Sequence, residues 1–196
     1  LQQLHAAGQS VWLDYIDRAI LRDGTLQRRI REDAVMGMTA NPTIFEKALA
    51  EGTEYDEQLA GAPRELGAKA LFELLATDDV RSACDIFRPV YDASSGGDGF
   101  VSIEVSPGVA NDEAASVAEG RRLWKTVDRP NVMIKIRGTA EGARAVPPLL
   151  GEGINVNITL LFSRESHDVV IEQYLCALED RVARGEPIDR IASVAS

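Results

Sequence analysis

A lysine within an apolar run is the first feature of the sequence that suggests chemistry. Lys135 lies in NVMIKIRGTAEG (131–142), between Ile134 and Ile136. An ammonium group is rarely buried unless it is paired, because a low dielectric disfavours its charged form. A desolvated lysine can act as a nucleophile, and with a carbonyl compound it forms a Schiff base that serves as an electron sink for C–C cleavage. Lys135 is therefore either a lysine whose amine reaches solvent or a candidate nucleophile.

Apolar, β-branched runs separated by longer segments of helical period predict the strands that position this lysine. Successive side chains of a strand point to opposite faces, so each run divides into an apolar and a polar set. If the apolar sets pack on outer helices, the polar sets converge on one interior. The predicted strands are residues 10–16, 34–40, 100–106, 131–137, 153–162 and 190–196. The polar cluster consists of Asp14, Thr39, Asn41, Glu104, Lys135, Asn157 and Thr159.

This polar cluster contains the groups that Schiff-base chemistry requires. Asp14 or Glu104 can supply the acid and base that move protons at the carbinolamine and at the hydroxyl being cleaved. The Asn and Thr side chains can hold polyol hydroxyls, so the cluster indicates a sugar-cleaving aldolase chemistry. Structural interpretations stand beside this one: the two acids as strand-end caps, and Asn41 before Pro42 as an ordinary helix start.

Helical periodicity predicts the elements between the strands. Helices are expected over residues 113–128 and 163–186, and over about 44–60 and 63–92, with Pro63 opening the last of these. The faces expected to pack on the sheet are Val117, Gly120, Trp124 and Val127 in the first helix, and Ile171, Leu175, Leu178 and Val182 in the second.

Composition and charge narrow the class of partner. With 21 Lys and Arg against 31 Asp and Glu, the formal net charge is -10, which argues against a surface that attracts nucleic acid or an anionic membrane. No apolar stretch approaches the roughly 20 residues that span a bilayer, and no signal peptide is recognisable, so we expect a soluble, cytoplasmic protein. Two cysteines and two histidines without ligand-like neighbours predict no metal site.

Six parallel strands with intervening helices fit two architectures, an open doubly wound sheet or a (β/α)8 barrel that is cut short. No Gly-x-Gly-x-x-Gly follows the first strand, which weakens the dinucleotide-binding version of the open sheet. Polar residues near the carboxyl ends of strands are typical of a barrel. The predicted fold is therefore an α/β, (β/α)8 TIM barrel truncated to about six βα units, with residues 1–196 forming a single, incomplete domain.

Several segments together resemble the transaldolase family. GMTANPTIFEKAL (37–49) is similar to that family's Gly-x-Thr-Ser-Asn-Pro segment, NVMIKIRGTAEG to its Schiff-base lysine segment, and GINVNITLLFS (153–163) to its next strand. The similarity runs through essentially all of this chain and covers roughly the N-terminal three-fifths of a whole family member. The resemblance implies a barrel without cofactor or metal that moves a dihydroxyacetone unit between sugar phosphates.

The resemblance also assigns roles to the polar cluster. It implies that Lys135 is the Schiff-base lysine and Asp14 the principal acid and base, while Glu104 and Thr159 flank a catalytic water. The residues that it implies for binding substrate hydroxyls are Asn41 and Asn157, with Thr39 beside them.

Three departures from the family pattern affect these expectations. Ala40 replaces the usual serine, and Arg137 replaces the usual proline of Lys-Ile-Pro. Arg137 lies on the same face as Lys135, where it either favours the free amine of the lysine or meets the substrate. The sequence also stops before the segment that carries the family's phosphate-binding arginine, so we expect a fragment of a longer chain.

Two classes of function follow. The first is a transaldolase of the pentose phosphate pathway that uses fructose 6-phosphate or sedoheptulose 7-phosphate as donor and erythrose 4-phosphate or glyceraldehyde 3-phosphate as acceptor, or a related fructose 6-phosphate aldolase that releases the three-carbon unit to water. The second is a non-catalytic truncated barrel or part of a larger fused protein. Sugar phosphates are the expected ligands, nucleic acid and membranes are not, and a homodimer is one assembly left open.

Overall fold

In the computed structural model, the chain forms two compact units, and the structure describes residues 1–40 and 42–196, with every side chain in these ranges except that of Glu51. The first unit consists of Leu1–Val101 and Arg129–Asn131, and the second of Ser102–Asp128 and Val132–Ser196. Strands and helices alternate along the described chain, and strands that pair within a unit run parallel. This pattern confirms the predicted α/β class with the βα repeat of a barrel; the prediction of one domain stays a prediction.

The first unit begins the alternation of strands and helices. Its elements are α1 (Gln2–Ala6), β1 (Val11–Asp14), α2 (Arg18–Arg22), α3 (Thr25–Asp33), β2 (Val35–Thr39), α4 (Pro42–Glu51), α5 (Asp56–Gly61) and α6 (Ala68–Ala93). β1 and β2 pair in parallel, with Asp14 opposite Thr39. The chain after α6 continues this sheet, because the Met38 N–H donates to the Phe100 carbonyl at 2.9 Å.

A buried ion pair joins two helices of the first unit. Arg18 Nε of α2 lies 2.7 Å from Asp79 Oδ1 of α6. The Tyr55 hydroxyl donates to Asp79 Oδ2 at 2.8 Å, and the Arg18 guanidinium lies 4.3 Å from the centre of the Tyr55 ring. Burial raises the pKa of both Asp79 and Tyr55, because each group loses the water that would solvate its charged form. The charges therefore compensate one another inside the unit, as a buried pair requires.

The second unit continues with strands that follow one another in chain order. Its elements are β3 (Val101–Glu104, of which Val101 belongs to the first unit), a 3₁₀ turn (Pro107–Val109), α7 (Glu113–Val127), β4 (Val132–Arg137), α8 (Ala140–Gly151), β5 (Val156–Thr159), α9 (Arg164–Ala183) and β6 (Ser193–Ala195). β4 pairs in parallel with β5, and β5 with β6. The Val105 N–H donates to the Lys135 carbonyl at 3.0 Å, which places the end of β3 beside β4.

The apolar face of β4 packs against helices. A Cβ atom on Gly120 of α7 would lie 3.4 Å from Ile134 Cγ2 and 3.2 Å from Leu149 Cδ1 of α8. Because Gly120 has no side chain, α7 approaches both closely. Val132, Ile134 and Ile136 are essentially inaccessible to solvent. Lys135 has the opposite parity and so lies on the other face of the strand.

Buried asparagine side chains form hydrogen bonds with backbone groups near the amino ends of strands. Asn155, just before β5, donates from Nδ2 to the Val132 carbonyl at 3.2 Å, and its Oδ1 accepts from the Ala192 N–H at 3.0 Å. In the first unit, Asn131 donates from Nδ2 to the carbonyls of Cys84 and Gly99. These side chains satisfy backbone groups where the sheet begins, a structural use of polar residues.

Helix α8 begins tightly against the end of β4. Thr139 caps the helix, since its Oγ1 accepts from the Gly142 N–H at 3.0 Å, and its hydroxyl donates to the Ala110 carbonyl. A Cβ atom on Gly142 would clash with the carbonyl oxygen of Arg137. Glycine at this position therefore lets the first turn of α8 rest on the last residue of β4.

Several predicted boundaries differ from the observed ones. Each strand lies within its predicted range, but β5 ends at Thr159 because Leu160 adopts a left-handed conformation with φ 68°. The helix predicted over 44–60 is two helices, α4 and α5, and the next helix begins at Ala68 rather than at Pro63. The sequence patterns give no prediction of α8, whose Pro147 and Pro148 are typical helix breakers.

The predicted packing face is right for α7 and wrong for α9. Helix α7 buries Val117, Gly120 and Val127, as predicted, whereas Trp124 is only partly buried and Leu123 is buried in addition. In α9, Leu175 is 44% exposed and Val182 is 60% exposed, and the buried residues are instead Val170, Ala177 and Arg181. Helix α9 carries apolar side chains on more than one face, so periodicity alone does not single out the packed one.

Neither a membrane-crossing helix nor a metal cluster occurs in the described part of the chain. None of its helices is both long and apolar enough to traverse a bilayer. Nor do three or more His, Cys, Asp or Glu side chains come together in a group that could hold a metal ion.

We expect Gly142→Ala to lower the free energy of unfolding by about 1–3 kcal/mol, because the added methyl group must displace either the Arg137 carbonyl or the first turn of α8. Gly151→Ala, at the other end of the same helix, is the matched control: the nearest atom to its new Cβ is Arg184 Nη2 at 3.7 Å, an ordinary contact. Urea unfolding followed by circular dichroism measures both variants. Equal stability of the two would contradict the close contact at Gly142.

Candidate active site

Lys135 is the buried lysine of this chain. It retains 9% of its accessible surface, whereas the other three lysines, Lys47, Lys69 and Lys125, are exposed. Its neighbours along β4, from Val132 to Ile136, are also buried. The first interpretation of this lysine, that its amine reaches solvent, does not fit such enclosure. Its ammonium group must therefore be compensated within the protein.

A carboxylate of the neighbouring strand provides that compensation. Glu104 is the last residue of β3, and its Oε2 lies 3.6 Å from Lys135 Nζ. The Glu104 side chain is 6% exposed, so water solvates neither member of the pair well. Sequence parity predicts Glu104 and Lys135 on one face, and the structure brings them together.

A second cation shares the same carboxylate. Arg137 Nε donates to Glu104 Oε1 at 3.3 Å, while 35% of the Arg137 side chain remains exposed. The two oxygens of Glu104 therefore face two different cations. Neither contact is as short as the 2.7–2.9 Å typical of a charge-assisted hydrogen bond.

Asn157 lies beside Lys135 in the parallel register of β4 and β5. Its buried side-chain amide donates from Nδ2 to the Ser102 hydroxyl at 3.0 Å, and its Oδ1 accepts from the Ser196 hydroxyl at 3.2 Å. An amide nitrogen carries two N–H groups and an amide oxygen two lone pairs. Asn157 is therefore fixed in orientation, and its bonds within the described residues leave one donor and one acceptor for a further group.

Ser102 is a member of this cluster that the predicted site omits. It is fully buried and lies two residues before Glu104 on β3. The signal that identifies it is the same parity that selects Glu104. Ser196, which follows β6, is also absent from the predicted site, because the register of a three-residue strand cannot be read from the sequence.

Thr159 lies at the carboxyl end of β5, opposite Arg137 in the register. The Gly138 N–H donates to the Thr159 carbonyl at 2.7 Å. The structure therefore places Thr159 two register pairs beyond the pair formed by Lys135 and Asn157, toward the carboxyl ends of β4 and β5. Its role at a catalytic water stays a prediction.

The remaining predicted residues belong to the first unit or fall outside the described residues. Asp14 and Thr39 are opposite one another at the carboxyl ends of β1 and β2, where Asp14 is exposed. Thr39 Oγ1 is buried and has no hydrogen-bond partner among the described residues. Asn41 lies outside the described residues. The roles of all three stay predictions.

The arrangement around Lys135 suits covalent chemistry on a carbonyl compound. An enclosed lysine amine can form a Schiff base, and the adjacent Glu104 carboxylate can accept or return protons at the reacting centre. Asn157 can orient a hydroxyl through its remaining donor and acceptor. These groups come from three adjacent strands, β3, β4 and β5, which is how barrel enzymes assemble their sites.

Comparison with known proteins identifies a family that matches this chain. The model of the Transaldolase/Fructose-6-phosphate aldolase family matches residues 11–196. A transaldolase of Thermobifida fusca (strain YX) is 49% identical over 197 aligned residues, which cover 100% of this chain and 54% of that protein. A transaldolase of Mycobacterium ulcerans (strain Agy99) is 47% identical, with 100% and 53% covered, and Transaldolase 2 of Nostoc sp. (strain PCC 7120 / SAG 25.82 / UTEX 2576) is 46% identical, with 100% and 52% covered.

The family match covers nearly the whole chain, and the chain spans about half the length of the curated relatives it matches. Its buried lysine is in the strand that the resemblance identifies as the Schiff-base segment. The chain therefore belongs to the transaldolase/fructose-6-phosphate aldolase family.

Proposed function

We propose that the protein containing this chain is a transaldolase that carries a dihydroxyacetone unit between sugar phosphates as a Schiff base on Lys135. The observation that carries this proposal is the burial of Lys135 beside Glu104, whose Oε2 is 3.6 Å from Nζ, in a chain of this family. The similar proteins named transaldolase support the transfer reaction.

The proposed reaction proceeds through bond changes at one ketose. Lys135 Nζ adds to the C2 carbonyl of fructose 6-phosphate, and loss of water gives the iminium. A base removes the proton of the C4 hydroxyl, the C3–C4 bond breaks, and its electrons flow to the iminium nitrogen, which releases glyceraldehyde 3-phosphate. The remaining enamine attacks the aldehyde of erythrose 4-phosphate, and hydrolysis frees sedoheptulose 7-phosphate and the lysine.

Within this proposal each polar residue has a role. Asp14 is the principal acid and base, and Glu104 with Thr159 orients the water that forms and cleaves the Schiff base. Asn157 holds a substrate hydroxyl with the donor and acceptor that Ser102 and Ser196 leave unused. Asn41 and Thr39 are assigned to the same task.

The proposal extends to the setting of the enzyme. Its ligands are sugar phosphates of the pentose phosphate pathway, in the cytoplasm, and no cofactor or metal takes part. The net charge of -10 makes nucleic acid an unfavourable partner. A homodimer is the assembly to test by light scattering.

A second candidate is a fructose 6-phosphate aldolase, which releases the three-carbon unit to water. The family description, which names both activities, favours keeping it. Both candidates share the Schiff base and differ only in the acceptor of the enamine.

Borohydride reduction during turnover tests the Schiff base directly. We expect the protein, expressed at the length its gene encodes and incubated with fructose 6-phosphate, to gain a reduced three-carbon adduct on the peptide that contains Lys135, as measured by mass spectrometry. Lys125→Ala removes an exposed lysine and should leave the adduct unchanged, whereas Lys135→Arg should abolish it. Adduct on Lys47, Lys69 or Lys125 instead would refute the assignment.

Product analysis separates transfer from release. With erythrose 4-phosphate present, we expect sedoheptulose 7-phosphate to form in step with glyceraldehyde 3-phosphate, because the enamine is consumed by the acceptor. Without an acceptor, turnover should stop after the first equivalent. Continuous release of dihydroxyacetone without acceptor, measured by chromatography of the products, would establish the aldolase instead.

A further inference from the structure

Arg137 is a charged residue at the candidate site to which the proposed Schiff-base reaction assigns no role. It is the last residue of β4 and lies two positions after Lys135, a separation of about 6.6 Å along a strand. Both side chains lie on the same face, and both meet Glu104.

The carboxylate of Glu104 is divided between these two cations. Oε2 is 3.6 Å from Lys135 Nζ, and Oε1 is 3.3 Å from Arg137 Nε. Because both cations attract the same carboxylate, it lies between them, and neither ion pair shortens to the distance of a charge-assisted hydrogen bond. With Arg137 removed, the remaining pair is free to contract to a short charge-assisted hydrogen bond.

That contraction would act against the proposed chemistry. A lysine held as an ammonium by a short bond to a carboxylate offers less free amine to a carbonyl compound. It would also direct the Glu104 carboxylate at the amine rather than at the water that it is proposed to orient. Arg137 therefore affects the reaction rate indirectly, through the position of the Glu104 carboxylate.

We propose that Arg137 is a positioning residue that holds the Glu104 carboxylate at a distance from Lys135 Nζ, an inference that rests on the proposed Schiff-base function. The alternative, that Arg137 binds the anionic group of the substrate directly, makes a different prediction and is an outcome of the same test. The Nε atom of Arg137 is engaged with Glu104, which favours the positioning role.

A double-mutant cycle distinguishes the two roles. In the protein expressed at the length its gene encodes, we expect Arg137→Met to lower kcat about tenfold, with KM for fructose 6-phosphate changed less than twofold. Arg137→Lys should restore most of kcat, because it returns a cation to Glu104. In a Glu104→Gln background, Arg137→Met should change kcat by less than twofold, since the group through which it acts is gone.

Matched controls separate positioning from folding. Arg144 of α8 also pairs with carboxylates, Glu113 and Glu141, but on the protein surface, so Arg144→Met should leave kcat and KM unchanged. Thermal unfolding of each variant checks the fold. If Arg137→Met unfolds, Arg137→Gln takes its place in the cycle, because its side chain is polar and uncharged.

Three results would overturn the inference. A tenfold rise in KM with kcat retained, in both backgrounds, assigns Arg137 to the substrate anion. Losses of kcat that multiply in the double variant show that Arg137 does not act through Glu104. Failure of the unmodified protein to form an adduct on Lys135 overturns the proposed function and this inference with it, whereas an adduct accompanied by independent losses overturns the inference alone.

Discussion

Compensation of a buried ammonium group is the constraint on which the polar side of the second unit depends. Lys135 lies in a strand whose other face is fully covered by helices, so its charge cannot be solvated from that direction. Glu104 neutralises it, and the bond from the Val105 N–H to the Lys135 carbonyl fixes how closely the two strands approach. Because Glu104 is itself buried, its second oxygen also needs a partner, which Arg137 provides.

Polar residues at the two ends of the strands serve different purposes. Asn155 and Asn157 differ by two positions and have the same parity, yet Asn155 bonds to backbone groups while Asn157 bonds to the side chains of Ser102 and Ser196. Asn155 therefore joins the backbones of neighbouring segments where β5 begins, whereas Asn157 is oriented by side chains next to Lys135. This division matches the general separation in barrels between a stabilising amino end and a functional carboxyl end.

Much of the candidate site could be predicted from the sequence because it depends on the backbone. Side-chain alternation and parallel register place Glu104, Lys135 and Asn157 on one face without any knowledge of packing. The bond between Ser102 and Asn157 and the buried contact of Arg18 with Asp79 could not be predicted, because they join residues 55 and 61 positions apart through tertiary packing. The predicted packing face of α9 is wrong for a related reason. Several faces of this helix are apolar, so tertiary packing decides which of them is buried.

The way α8 rests on β4 has an evolutionary consequence. Residue 137 is fixed to the architecture through its carbonyl, which Gly142 approaches, while its side chain is one-third exposed and meets Glu104. Mutation at position 142 therefore disturbs the backbone contact between α8 and β4, whereas mutation at position 137 changes the charge beside the lysine without adding an atom at that contact. Changes of reactivity and changes of fold can in this way arise at different codons, the first at position 137 and the second at position 142.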